Sequence, residues 1–150
     1  MVNSIKYDNS PFYYEATLQE DMVIVPANTT LPKGTILGEI TASGKLTKFD
    51  KIKTDGAEIP MAFLNKELTN DTANPIEVST TVIIWGKLNE NKLPQDSQTA
   101  LNEIVSGKGK VRTILKNNGL LVLSSQDLMR YIHWENHKLN IKNLSINSKG

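Results

Sequence analysis

The only two imidazoles of the chain, His133 and His137, stand four positions apart. On a helix this spacing puts both rings on one face, the arrangement that a metal-binding pair uses. The intervening Trp134-Glu135-Asn136 does not place Glu directly after the first His, so the zinc-protease motif is absent. A zinc site needs three or four ligands held by a supporting shell, and here a third ligand would have to come from a distant carboxylate. The pair therefore reads as solvent-facing helix residues.

Gly107-Lys108-Gly109-Lys110 has the composition of a phosphate-cradling loop but not its order, which requires Gly, four residues, then Gly-Lys-Ser/Thr after a strand. It reads as a solvated connection between helices. No Gly-x-Ser-x-Gly elbow is present to expose a serine nucleophile. The carboxylate pairs closest to acid/base spacing, Asp71 with Glu77 and Asp55 with Glu58, fall in turn-rich sequence, where such side chains are solvated. These residues assign no catalytic residue, no metal site and no cofactor. The expectation is a protein that is not an enzyme.

Length and charge narrow the class further. A chain of 150 residues is long enough for one core and short for two. Seventeen Lys plus Arg against 16 Asp plus Glu leave no broad positive field for nucleic acid or an anionic membrane surface, so neither partner is expected. With no cysteine, a disulfide framework and thiolate metal ligation are excluded. The first residues, MVNSIKYDNSPFYYEA, lack an apolar signal core, and no window approaches the roughly 20 apolar residues that span a bilayer. A soluble protein made in the cytoplasm is the expectation. Matches to N-x-[ST] at Asn28, Asn70 and Asn143 carry meaning only in a secreted protein.

The elements that must position any functional surface are mostly strands. Residues 1–20 hold no sustained period and carry Pro11 ahead of Phe12, Tyr13 and Tyr14, which reads as an extended N-terminal arm. Met22-Val23-Ile24-Val25 is a short apolar run stopped by Pro26; Pro32-Lys33-Gly34 supplies a turn before Thr35-Ile36-Leu37-Gly38-Glu39-Ile40. Ser43-Gly44 then joins this strand to Lys45-Leu46-Thr47-Lys48-Phe49 as a hairpin. Asp55-Gly56 marks another reversal, and Pro60 confines the following apolar segment to an edge or a strand start. The strongest strand signal spans residues 76–88, where Val78, Thr80, Val82 and Ile84 alternate with Glu77, Ser79, Thr81 and Ile83.

After Pro94 the period changes. Ala100, Leu101, Ile104 and Val105 recur at helical spacing up to Gly107, and a second short helix is expected at 110–117 on a Val111, Ile114, Leu115 stripe. Leu120-Leu121-Val122-Leu123 reads as a buried strand. Ser124 and Asp127 match a capping box opening a third helix with Leu128, Tyr131 and Ile132. The expected fold is α+β and mainly β, with an arm at 1–20, a domain at 21–135 and a polar C-terminal tail at 136–150. Aromatic side chains on an arm need cover, so Phe12, Tyr13 and Tyr14 either pack back on this domain or dock on a partner.

The ordered set Leu31-Pro32-Lys33-Gly34-Thr35-Ile36-Leu37-Gly38, Ser43-Gly44-Lys45-Leu46, Thr54-Asp55-Gly56-Ala57, Pro60-Met61-Ala62-Phe63-Leu64 and Gly86-Lys87-Leu88 resembles the phage head decoration, or capsid cement, proteins of the lambda D type. Leu115 to Val122 also looks like the ending of longer relatives. Gly34, Gly38, Gly44, Asp55, Gly56, Ala62 and Gly86 are the motif residues. The resemblance implies a β-clip-like domain that binds the outer surface of the expanded bacteriophage capsid as a homotrimer. It further implies a virion location, contact with the major capsid protein, and an arm that pairs with a strand of that partner. The extra segment from about Ser124 has no counterpart in the family pattern. A second reading is a β-clip domain that binds a small ligand or accompanies an enzyme, which requires a pocket with convergent polar groups. A third is a biotinyl-type carrier with Lys45 on its hairpin, though that motif's flanking methionines are missing.

Overall fold

Alternation at period two decides the architecture, because several strands are apolar on both faces and so lie between two buried layers. The computed structural model describes residues 10–147, with side chains described through Leu139. Ten strands are assigned: β1 (Tyr13–Val25), β2 (Thr29–Leu31), β3 (Ile36–Glu39), β4 (Leu46–Lys48), β5 (Pro60–Leu64), β6 (Leu68–Asn70), β7 (Ile76–Asn89), β8 (Ile104–Val105), β9 (Gly109–Lys110) and β10 (Leu120–Leu123). The helices are α1 (Gln95–Ala100), α2 (Val111–Asn117) and α3 (Ser125–Asn147), with a short 3-10 turn at Glu90–Lys92.

The main sheet runs β1-β4-β3-β5-β7-β10, and an additional β1–β7 pairing closes its first five strands into a small barrel. Closure satisfies main-chain groups that an open edge would expose. β1 and β7 form the longest ladder, antiparallel from Tyr13 opposite Leu88 to Val25 opposite Ile76. β10 extends β7 in parallel, with Leu120 opposite Gly86. β2 and β6 make a separate antiparallel ribbon.

Two apolar clusters follow from the alternation. Val23, Val25, Leu37, Leu46, Ala62, Leu64 and Val82 fill the barrel. Ile36, Phe63, Ile83 and Leu88 point the other way and meet Leu101, Val111, Leu115, Leu120 and Val122 of the C-terminal layer. The α+β, mainly β expectation holds, and its β part is a small barrel with helices added after Pro94. Pro60 opens β5, where its missing N–H does no harm to the ladder.

The structure differs from the sequence reading in four places. Strand structure begins at Tyr13 rather than Met22, because residues 13–21 pair with β7 although their outer faces stay polar; residues 1–9 of the expected arm lie outside the described residues. Ile104 and Val105 are not helical: Gly107 and Gly109, both at positive φ, fold them into the β8–β9 hairpin, closed by Lys108 N–H donating to the Val105 carbonyl. Residues 136–147, expected as tail, continue α3. Asp55-Gly56 lies in the crossover between β4 and β5, which flank β3 on opposite sides. Ser124 does cap α3, its hydroxyl accepting from Asp127 N–H at 3.1 Å.

Candidate functional site

The end of β7 gathers the start of the described chain and the start of α3 around one side chain. Asn89 is fully buried, and its amide nitrogen donates to Ser10 Oγ at 2.8 Å and to the Pro11 carbonyl at 3.0 Å. Its carbonyl oxygen accepts from Ser125 Oγ at 2.9 Å and from Asn91 N–H at 3.1 Å, while its own N–H donates to the Phe12 carbonyl. A buried amide with its donors and acceptors used in this way fixes three segments relative to one another.

Beside this junction the aromatic trio is laid on the chain itself. Phe12 and Tyr13 pack against the outer cluster, edge to face with centroids 6.3 Å apart, and Lys33 Nζ sits 4.4 Å over the Phe12 ring. Tyr14 meets Tyr131 of α3, edge to face at 6.0 Å. All three rings are half-buried.

A bulge follows immediately. Between Tyr14 opposite Lys87 and Thr17 opposite Trp85, β1 carries one extra residue, and the register returns at Leu18 opposite Ile83. Glu15 takes φ 53°, in the left-handed region, and Gly86 opposite it has φ 131°; a Cβ on Gly86 would lie 2.7 Å from the Ala16 Cα and the Glu15 carbonyl oxygen. The bulge turns the Glu15 carboxylate onto Lys87 Nζ at 3.1 Å. Lys87 also lies over the Tyr131 ring at 4.5 Å and near the Trp85 ring at 5.5 Å, with its side chain only 14% exposed. Burial works against the ammonium, but the hydrogen bonds and charge interactions with Glu15 and Tyr131 outweigh it, so the Lys87 pKa stands above its ordinary value.

The family-type motif residues are distributed through the scaffold rather than collected in one place. Gly34, at φ 91°, closes the turn after Pro32, and a Cβ there would meet Pro94, Leu93 and Phe12. Gly38 lets the Ala57 backbone approach β3, and Gly56 sits against Glu39 and Thr41. Gly44 serves the β3–β4 hairpin, its N–H donating to the Ile40 carbonyl. Ala62 faces the barrel interior opposite Leu37.

The candidates for chemistry do not converge. The Asp55 carboxylate accepts from Ala57 N–H and Glu58 from Gly56 N–H, so this pair shapes a turn; Glu77 pairs with Lys45. His133 and His137 are exposed on α3. Among the described residues no group of three or more His, Asp or Glu is placed to hold a metal ion. Asn70, one of the N-x-[ST] matches, is buried and donates to the Val25, Pro26 and Asn74 carbonyls. A groove of about 760 Å³ runs between the 47–57 segment and α1, with Lys48–Asp96 and Lys51–Glu103 ion pairs along it.

Sequence reasoning missed Asn89 and the Lys87, Glu15, Tyr131 group. The one local signal was a polar residue ending the longest strand.

No match was found among curated proteins. The family model for bacteriophage lambda head decoration protein D matches residues 3–104, taking in the whole barrel, α1 and the Asn89 junction apart from Ser125, and leaving α2, β10 and α3 beyond its end. With more than half of its length matched in this way, the chain belongs to the bacteriophage lambda head decoration protein D family, proteins associated with the phage capsid.

Proposed function

We propose that this chain is a structural cement: it binds the outer surface of the expanded head as a homotrimer, contacts the major capsid protein and reinforces the shell without turning over a substrate. The family match over residues 3–104 carries this reading. Physical support comes from the way the chain divides its labour. The ring of five strands is a rigid platform whose sheet ends only on the four-residue β10, so strand addition is assigned to the N-terminal segment. Phe12, Tyr13 and Tyr14 stand where that segment joins the barrel, and their half-exposed rings are the side-chain contacts that select the docking site. The motif turns at Gly34, Gly38, Gly44, Asp55, Gly56 and Gly86, with Ala62 inside, hold the platform's shape.

Retention then follows from multivalency. Three copies joined on the shell make each later contact intramolecular, which raises avidity by orders of magnitude without new contact chemistry. The test is co-sedimentation of the purified protein with expanded heads of its own phage, with mass photometry of the released material. Saturable binding that is lost when residues 2–9 are deleted, with the barrel still folded, is the expected result; heads that pellet without the protein overturn the reading. Deleting residues 1–20 is the wrong control, because it removes Tyr13 to Glu20 from the β1–β7 ladder.

A further inference from the structure

The helix α3 lies beyond the residues that the family model matches, yet its first two turns touch the N-terminal segment at two separate points. At one, Ser10 Oγ and Ser125 Oγ are 3.0 Å apart and both bond to the Asn89 amide. At the other, Tyr131 packs against Tyr14 and covers Lys87, the partner of Glu15. Between these contacts and the rest of β1 stands the bulge at Glu15 and Ala16, where the ladder loses its register and a non-glycine residue is held at φ 53°. A residue in that region costs of order 1 kcal/mol or more unless its surroundings hold it there. The bulge thus sets residues 10–16 apart from the rest of β1; Phe12, Tyr13 and Ala16 pack on the outer cluster, Asn89 bonds to Pro11 and Phe12, and α3 pins the segment from outside.

We propose that α3 is a built-in clamp, which keeps residues 10–16 on the barrel of the free protein and lets go when a head offers a competing strand. The proposal rests on the docking role given above to the N-terminal segment. Two features favour a releasable clamp over plain reinforcement. Only Tyr13 and Tyr14 pair with β7 ahead of the bulge, against a ladder that is continuous from Leu18 to Val25 beyond it. The pins are also small and polar or edge-on aromatic, contacts of about 1 kcal/mol each rather than a buried apolar seam.

Two measurements on the full chain test it. The first is amide hydrogen exchange of the free protein with Tyr131→Ala or Ser125→Ala. Protection at residues 12–15 should fall about fivefold while residues 18–25 keep theirs, since sub-global opening follows local contacts. Unchanged exchange, or an equal loss along all of β1, overturns the clamp. The second uses the absence of native cysteine: Ser10→Cys with Ser125→Cys gives a single oxidisable pair. The oxidised form should associate with expanded heads at least about tenfold more slowly than the reduced form; equal rates overturn release on binding. If the unmodified protein fails to bind heads, the proposed function falls, and the exchange measurement still decides whether α3 clamps the segment.

Discussion

The side-chain amide of Asn89 donates to the main-chain carbonyl of Pro11 at 3.0 Å, joining positions 78 apart in sequence. The same amide holds Ser10 and Ser125, so one buried residue sets where the N-terminal segment leaves the barrel and where α3 begins. Replacing it with Ala should strand several of these groups at once. The expected loss is about 2–4 kcal/mol, from roughly 1 kcal/mol per hydrogen bond plus the penalty for unmet partners, read as a lower urea midpoint.

Phe12 separates two ideas about the aromatic trio. A ring used only on a partner leaves the free protein's stability untouched when it is removed. Because Phe12 packs on the outer cluster and under Lys33, Phe12→Ala should cost the free protein about 2 kcal/mol, measured by thermal or urea unfolding without any head present. A change within error means that the ring contributes nothing to the fold.

Gly119 has φ 92°, and a Cβ on it would run into the Trp85 indole. Gly119→Ala should therefore displace Trp85, which is 47% exposed, and destabilise the protein by about 1–3 kcal/mol through overpacking and strain. A shift in the tryptophan emission maximum of the folded protein reports the displacement.

Lys87 carries a pH dependence with a definite sign. Its folded pKa is raised above 10.5, so its contribution is fully present below that value and is lost as pH climbs through the folded pKa. The stability gap between the native protein and Lys87→Met should be flat from neutrality to about pH 9 and shrink only at more alkaline pH. A gap that changes between about pH 6 and 8 points to another group.

What the sequence made legible was local. The alternation through Val78, Thr80, Val82 and Ile84 announced β7, and the Gly34 and Gly44 punctuation placed turns where positive φ is found. Ser124 three residues before Asp127 located the start of α3. Ile104 and Val105 misled because two adjacent apolar residues fit a helix period as well as a strand, and the glycines that decide between them lie downstream. The three-residue strands β2 and β6 are too short to show alternation. The reach of α3 was hidden because a helix that packs mainly through Leu128 and its neighbours needs no apolar stripe farther along. The Asn89 junction was beyond reach for a different reason: its meaning lies in pairings across 36 and 79 positions, which no local pattern encodes.

With five strands hydrogen-bonded in a ring, the main sheet ends on the outer side of β10, a margin only four residues long. Edge-to-edge stacking of copies into fibrils is confined to that margin and to the short β2–β6 and β8–β9 ribbons, too little exposed backbone to template a long ladder.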